Sequence, residues 1–338
     1  MRIQKIREAL QKEQTEAIVL SNMKNVRYAS GFTGDTGMAV ITEKSAYLIV
    51  DGRFTEQAEK ESKIEVVDYN KNFIKTIESL LKNENIKKCA FEGNTMTYSE
   101  ADYMMKNISG IAWTPTKDLV ETIRMVKDKS ELKTIQKALK IALDTFESVK
   151  KEIVAGVQEI EIANEIEYRM KKMGASGASF ETIVASGKRS SLPHGTASEK
   201  IIQNGDAVVI DMGAVYNGYC SDITRTVFVG EPTKEQQRVY DLVEKAQKKA
   251  IDAINVGVSC KDVNEVAVSE FRKNAMEQYF VHSLGHGVGL DVHERPFVAG
   301  RSSDVFEPGM VVTVEPGLYL PDQFGVRIED MVLVMNEE

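Results

Sequence analysis

Cysteine, histidine and tryptophan are scarce in this chain of 338 residues, which contains three, four and one of them respectively. The cysteines Cys89, Cys220 and Cys260 lie far apart and form no CxxC pair. An odd number of isolated cysteines supports neither a disulfide framework nor a zinc site built from thiolates. We therefore expect a protein of a reducing compartment, the cytoplasm.

Long apolar runs are also missing. No stretch approaches the roughly 18 apolar residues that span a bilayer. The first residues alternate charged with apolar side chains, unlike the apolar centre of a signal peptide. The formal charge is -8, from 43 basic and 51 acidic residues, and no run of lysine and arginine stands out. Neither a nucleic acid nor a membrane is therefore an expected partner.

Signatures of several other enzyme classes are absent as well. The sequence has no HExxH zinc signature and no GxSxG nucleophile motif. Its glycine-rich segment 31–37 lacks the Lys-Ser/Thr ending of a phosphate-binding loop. What remains to be explained is a group of four histidines, all in the second half of the chain: His194, His282, His286 and His293.

The pattern of apolar residues divides the chain into two parts. Before about residue 110, short β-branched runs alternate with amphipathic stretches, which predicts a small α/β domain. Beyond Lys127 comes a long charged helix, followed by further helices and by strands rich in Val and Ile. We predict an α+β protein with an N-terminal α/β domain, residues 1–122, and a larger second domain, residues 123–338.

Residues 207–229 predict a hairpin that carries two aspartates. Two β-like runs flank Asn217 and Gly218, a pair typical of a two-residue turn. With that turn, Asp211 and Asp222 are diagonal neighbours on one face, at roughly 7–8 Å. Two carboxylates on an apolar face are costly to bury unless a cation compensates them. The other interpretation is two solvated aspartates on an exposed face.

Histidines and glycines alternate in a second segment. His282 and His286 are four residues apart, a spacing that suits metal ligands on a helix. Gly285 and Gly287 make a helix unfavourable and instead indicate backbone that approaches an open site closely. Each histidine taken alone is more often structural than a ligand, so the interpretation depends on the neighbouring carboxylates.

A third segment, residues 310–334, predicts two strands joined by a loop that contains Pro and Gly. Each strand carries one glutamate among Val and Ile, Glu315 in the first and Glu329 in the second. Acidic residues are poor strand formers. Four carboxylates and one imidazole suit Mn²⁺, Co²⁺ or Zn²⁺. Four negative charges balance two cations more naturally than one, which indicates a dinuclear centre.

These segments resemble, in order and approximate spacing, the motifs of the pita-bread metallopeptidases. The matching stretches are SFETIVASGKRSSLPHG, VIDMG with SDITRT, HSLGHGVGLDVHE, VEPG and GVRIED. Nearly the whole chain resembles the proline-specific branch, which comprises Xaa-Pro dipeptidase (prolidase) and aminopeptidase P. Methionine aminopeptidases usually lack such an N-terminal domain, and creatinase lacks the metal ligands. The resemblance implies a creatinase-like N-terminal domain followed by a pita-bread catalytic domain.

The resemblance also implies a set of metal ligands. Asp222 and Glu329 would bridge two divalent ions, Asp211 would hold one ion, and His286 with Glu315 would hold the other. Mn²⁺ is the expected metal, with Co²⁺ and Zn²⁺ as alternatives. A metal-bridging hydroxide would be the nucleophile and Glu315 the general base.

Substrate contacts follow from the same resemblance. His194 and His293 match positions that bind the substrate and stabilise the tetrahedral intermediate, and Arg327 matches an arginine near the bridging carboxylates. The remaining expected contacts are His282 beside the pocket for the residue after the scissile bond, Phe180 against the proline ring, and Arg295 at the dipeptide carboxylate.

We therefore expect a homodimer that hydrolyses the bond preceding proline in short proline-containing peptides. Xaa-Pro dipeptidase is preferred, because the length and the N-terminal domain suit bacterial prolidases. Aminopeptidase P, which releases the first residue from longer peptides, is the alternative. A non-catalytic binding protein on the same scaffold is a third reading, and the complete ligand set argues against it.

Overall fold

The computed structural model describes residues 2–69 and 72–336, and the chain divides into two units, Met1–Arg124 and Met125–Glu338. Both units combine helices with sheets, so the predicted α+β class is confirmed. Within the described ranges, no helix is long and apolar enough to cross a membrane.

A six-stranded mixed sheet forms the centre of the first unit. Its strands are β1 (Ala17–Leu20), β2 (Met38–Thr42), β3 (Ala46–Val50), β4 (Glu65–Asp68), β5 (Lys88–Glu92) and β6 (Ala112–Thr116). Its helices are α1 (Arg2–Lys12), α2 (Met23–Ser30), α3 (Thr55–Glu61), α4 (Phe73–Asn83), α5 (Tyr98–Asn107) and α6 (Leu119–Arg124). The strand order is β4-β3-β2-β1-β5-β6. β1–β2 and β2–β3 are antiparallel, and the other pairs are parallel.

Apolar runs at residues 17–20, 38–41, 46–50 and 63–67 predict the strands β1 to β4, and no such run predicts β5. All four residues of β1 are buried, and Ala17 and Val19 pack in one apolar cluster with Ile77 of α4 and Met104 of α5. The pattern does not predict β6, since Pro115 interrupts it. Among the described strands, β6 pairs only with β5 and lies at the edge of the sheet. A proline is tolerated there because its missing N–H breaks no ladder on the open side.

The second unit contains longer helices and several small sheets. The helices are α7 (Lys129–Val149), α8 (Glu159–Lys172), α9 (Lys234–Asp252) and α10 (Cys260–Lys273), with short 3₁₀ turns at Lys150–Glu152, Gly187–Ser191 and Glu277–Tyr279. The strands are β7 (Gly177–Ala178), β8 (Ile183–Ser186), β9 (Ala207–Met212), β10 (Ala214–Tyr216), β11 (Tyr219–Cys220), β12 (Ile223–Phe228), β13 (Gly285–Gly287), β14 (Glu294–Val298), β15 (Val311–Val314), β16 (Gly317–Leu320), β17 (Phe324–Arg327) and β18 (Asp330–Leu333). The sheets have the orders β11-β10-β7, β12-β9-β8, β14-β13-β15-β18 and β16-β17.

The predicted hairpin around Asn217 and Gly218 is confirmed. Both turn residues have positive φ, 45° and 74°, as a two-residue turn of this type requires. The strands pair in the predicted register, with Asp211 opposite Thr224. Asp222 lies two residues before Thr224, so the two aspartates are diagonal neighbours on one face.

Residues 310–334 contain four strands where the sequence predicts two, so that prediction is wrong. Glu315 follows the end of β15, and Pro316 after it has no N–H to continue a ladder. Glu329 lies between β17 and β18, and its N–H donates instead to the carbonyl of Thr224. Both glutamates therefore lie at breaks between strands.

Helices α9 and α10 support the strands that lead to these glutamates. α9 begins at a capping box in which Thr233 and Gln236 exchange hydrogen bonds. Val263 and Phe271 on α10 are fully buried in one apolar cluster with Val314, the last residue of β15. The position of Glu315 thus depends on a packed core and not on a mobile loop.

Candidate metal centre and active site

One cavity of about 510 Å³ in the second unit brings the predicted site residues together. Its wall contains all five predicted metal ligands, which are Asp211, Asp222, His286, Glu315 and Glu329. It also contains most of the predicted substrate contacts: Phe180, His194, His282, His293 and Arg327. The ligands come from the β9–β12 hairpin, from β13 and from the strand breaks beside β15 and β18.

The ligand atoms converge in three overlapping groups, in each of which they all lie within 4.8 Å of one another. The groups are Asp211 with Asp222 and Glu329; His286 with Glu315 and Glu329; and Asp222 with His286 and His293. Glu329 belongs to the first two groups, and Asp222 belongs to the first and the third. These two carboxylates therefore lie where two neighbouring ion sites would meet.

Two carboxylate oxygens in this cluster lack protein partners. Oδ1 of Asp211 and Oδ1 of Asp222 are buried and accept no hydrogen bond from the described residues. Burial, followed by the negative charge of Glu329, raises the pKa of Asp222 well above its usual value. A buried acceptor without a donor is costly and calls for an explanation. A bound cation would give both oxygens a partner, and its positive charge would favour the ionised form of Asp222.

The two glutamates show the same electrostatic conflict. Burial and the neighbouring Asp211 raise the pKa of Glu329 to about 8. Burial and the charge of Glu329 raise the pKa of Glu315 well above its usual value. Without a cation, these carboxylates are desolvated and repel one another. Carboxylate oxygens are also the ligands that hard or intermediate divalent ions prefer. The residues present therefore fit a metal centre.

His286 is oriented for coordination. Its Nδ1 lies 3.0 Å from the carbonyl oxygen of Gly287, which can only accept, so Nδ1 carries the proton. Its Nε2 faces the carboxylates, 3.7 Å from Asp222 and 3.4 Å from Glu315. Burial lowers the pKa of His286 to about 4. The ring is therefore neutral at pH 7, the form that binds metals.

A chain of hydrogen bonds connects the cavity wall to a predicted ligand. Arg327 donates to Oδ2 of Asp211 at 2.6 Å and to the hydroxyl of Tyr319 at 2.7 Å. Because that hydroxyl accepts from Arg327, its own proton is available for Nε2 of His282 at 2.8 Å. Nδ1 of His282 then donates to the carbonyl of Ser283. Sequence reasoning missed Tyr319, since nothing in PGLYL distinguishes it from a core tyrosine.

Thr224 is a second residue that sequence reasoning did not single out. Its hydroxyl donates to Oε2 of Glu329 at 2.7 Å and accepts from Nε of Arg327 at 3.0 Å. Thr224 thus fixes one oxygen of the carboxylate that two ligand groups share. The available signal was its place within SDITRT, two residues after Asp222.

The rest of the cavity wall mixes histidines with apolar side chains. The ring of His293 lies against that of His286, with centroids 4.3 Å apart. Phe180 and Phe297 line the same space. Arg295 does not line it, and its guanidinium pairs instead with the carboxylate of Asp304. The structure therefore places Arg295 apart from the other predicted substrate contacts.

Comparison with protein families follows the same division of the chain. Residues 133–336 match Metallopeptidase family M24, and residues 2–126 match the Creatinase/Prolidase N-terminal domain. The chain belongs to metallopeptidase family M24. It is a metal-dependent peptidase with a creatinase-type N-terminal domain and a catalytic domain of the pita-bread fold, as the sequence predicts.

Several relatives of this M24 peptidase match it over nearly its full length. A curated Xaa-Pro dipeptidase of Pyrococcus horikoshii is 40% identical over 336 residues, covering 98% of this chain and 94% of that protein. A solved Xaa-Pro dipeptidase from Bacillus anthracis is 42% identical with a TM-score of 0.97, covering 99% and 94% of the two chains. A solved X-Pro aminopeptidase from Thermotoga maritima is 38% identical with a TM-score of 0.90, covering 97% and 95%.

Proposed function

We propose that this M24 peptidase hydrolyses the bond preceding proline in Xaa-Pro dipeptides and that it uses two divalent ions, with Mn²⁺ as the expected metal. The observation that carries the proposal is the convergence of five metal-binding side chains in overlapping groups that share Glu329 and Asp222. The Xaa-Pro dipeptidases among its relatives support the substrate class.

Each ligand has a place in this proposal. Asp222 and Glu329 would contact both ions, Asp211 would hold one of them, and His286 with Glu315 would hold the other. When bound, the two ions supply Lewis-acid activation of water and polarisation of the scissile carbonyl. Arg327 orients Asp211 through its hydrogen bond to Oδ2.

The remaining steps belong to the side chains around the cavity. Glu315 accepts the proton of the attacking water as general base. His194 and His293 donate hydrogen bonds to the substrate and to the developing oxyanion. Burial lowers the pKa of His293, so its ring is a neutral donor at pH 7. Phe180 packs against the proline ring.

Aminopeptidase P activity on longer peptides is a second candidate, and one observation favours it. A free dipeptide carries its carboxylate into the site, and Arg295, the predicted partner of that carboxylate, pairs with Asp304. Among the described lining residues, Arg327 is the single lysine or arginine, and it already contacts Asp211. A longer peptide would place its carboxylate outside the cavity. The X-Pro aminopeptidase of Thermotoga maritima supports the same alternative.

The deciding experiment compares two substrates on one Mn²⁺-loaded preparation, Ala-Pro and a longer peptide that begins with Ala-Pro. Preferential hydrolysis of the dipeptide supports the proposal. Preference for release of alanine from the longer peptide supports aminopeptidase P instead. Failure to cleave either substrate would contradict both and favour a binding protein on the same scaffold.

A further inference from the structure

A buried ion pair that has no part in the proposed chemistry lies next to the segments that carry His286 and His293. Nζ of Lys127 is 2.9 Å from Oε1 of Glu294, and the two side chains are 1% and 5% exposed. Burying two charges costs desolvation energy that their attraction often fails to recover, and apolar replacements are frequently as stable. Stability alone therefore does not account for this pair.

Glu294 lies at the junction of the segments that carry two site histidines. It follows His293 directly, and it pairs with Gly287 at the point where the register of β13 and β14 shifts, next to His286. Its carboxylate fills the space beside Gly289, where an added Cβ would collide with both carboxylate oxygens. The position of this carboxylate therefore determines the path of the loop between the two histidines.

Lys127 is itself anchored to the strand that leads to Glu315. Its N–H donates to the carbonyl of Gly309 at 3.0 Å, and Val126 forms a β-bridge with Met310, which directly precedes β15. Asp128, the next residue, caps helix α7. The lysine thus starts from a backbone segment fixed on both sides, and its side chain reaches the loop that carries His293.

We propose that Lys127 is a positioning residue, which holds the Glu294 carboxylate and thereby keeps His286 in place in the metal centre and His293 in place in the cavity wall. The proposal rests on the function proposed above for these histidines. It assigns Lys127 no contact with metal or substrate. Its action passes through Glu294 and through the backbone of residues 287–293.

The test replaces lysine by a side chain of similar length without charge, Lys127→Met. Metal affinity is measured by competition with a chelating indicator, and kcat and KM with the substrate that the wild type prefers. Loss of a partner that orients a ligand typically costs about 10- to 100-fold in metal affinity or activity. We expect a loss of metal affinity in this range and a fall in kcat at saturating metal, with KM changed less than threefold.

Two further variants separate positioning from general destabilisation. Val149→Ala shortens a buried core residue at the end of helix α7, and we expect it to lower the melting temperature without changing metal affinity. In the double variant Lys127→Met/Glu294→Gln, the two losses in metal affinity should not add, because both residues act through one contact. Wild-type metal affinity in folded Lys127→Met, an equal loss of metal affinity in Val149→Ala, or additive losses in the double variant would each overturn the proposal.

A second variant and a measurement without substrate complete the test. If Lys127→Met does not fold, Glu294→Gln alone takes its place, and unchanged metal affinity in that variant overturns the proposal. Metal binding is measured without peptide, so the result is independent of the substrate. A variant that loses metal affinity while the wild type cleaves no Xaa-Pro peptide would refute the proposed function and leave the positioning role in place.

Discussion

Replacement of Glu329 by glutamine should make the metal-free protein more stable, although it removes a proposed metal ligand. Glu329 is 1% exposed, and burial and Asp211 raise its pKa to about 8. Glutamine keeps the shape of the side chain and has no charge. The oxygen that accepts from Thr224 can be retained as the amide oxygen.

The size of the effect follows from proton linkage. The folded metal-free protein keeps a proton on Glu329 up to about pH 8, whereas the unfolded chain releases it near 4.5. Wild-type stability therefore falls as the pH rises between these values. A tenfold change in proton affinity corresponds to about 1.4 kcal/mol, so the ionisation of Glu329 lowers the unfolding free energy of the wild type by at most roughly 5 kcal/mol. Water in the open cavity screens the repulsion, and we expect about 2–4 kcal/mol.

The assay is thermal unfolding in excess chelator between pH 5 and pH 8.5. At about 2–4 °C for each kcal/mol in a domain of this size, Glu329→Gln should unfold roughly 5–15 °C above the wild type at pH 8.5. The difference in melting temperature between variant and wild type should disappear near pH 5. Saturating Mn²⁺ should raise the melting temperature of the wild type and leave that of the variant unchanged. Glu231→Gln, at an exposed position, is the matched control and should show none of these effects. A variant less stable than the wild type at pH 8.5 in chelator would refute the reasoning.

Four other variants test separate parts of the proposed site and fold. Asp222→Asn should lose bound metal together with activity, whereas His293→Ala should keep its metal and lose turnover. Metal content is measured by elemental analysis, and loss of metal from His293→Ala would show that His293 is a ligand. Burial lowers the pKa of His282 to about 4, so the wild type should lose stability, about 2–3 kcal/mol, as the pH falls from 6.5 to 4. In His282→Gln, the loss of unfolding free energy over this pH range, measured by urea titration, should be smaller than in the wild type. An equal loss in the two proteins would refute the assignment of this effect to His282. Phe271→Ala, fully buried, should cost about 3–5 kcal/mol of unfolding free energy, and a cost below 1 kcal/mol would contradict the packing described for α10.

Local signals in the sequence were sufficient to predict the hairpin and its pair of aspartates, whereas the assignment of the other site residues followed from the family resemblance. The turn at Asn217 and Gly218 fixes the register, and a fixed register places Asp211 and Asp222 on one face without any tertiary information. The four separate strands of residues 310–334 were not predicted, because strand breaks at Pro316 and Glu329 depend on which backbone groups find partners elsewhere.

Long-range pairing set the limits of sequence reasoning. Arg295 was predicted to meet the substrate carboxylate because it follows the HE motif, and its pairing with Asp304 is a tertiary contact that no local pattern reveals. Tyr319 and Lys127 were missed for the same reason, since each becomes informative only through a partner distant in sequence. The roles of the ligands, the homodimer and the cytoplasmic location stay predictions.

The central claim is that Xaa-Pro hydrolysis depends on two ions held by the five converging side chains. The most direct measurement follows metal content and Ala-Pro hydrolysis in one sample as chelator removes the metal and Mn²⁺ is then returned in steps. The account predicts that activity disappears on chelation and returns as the metal content rises to two ions per chain. Full activity in the metal-free protein would contradict it.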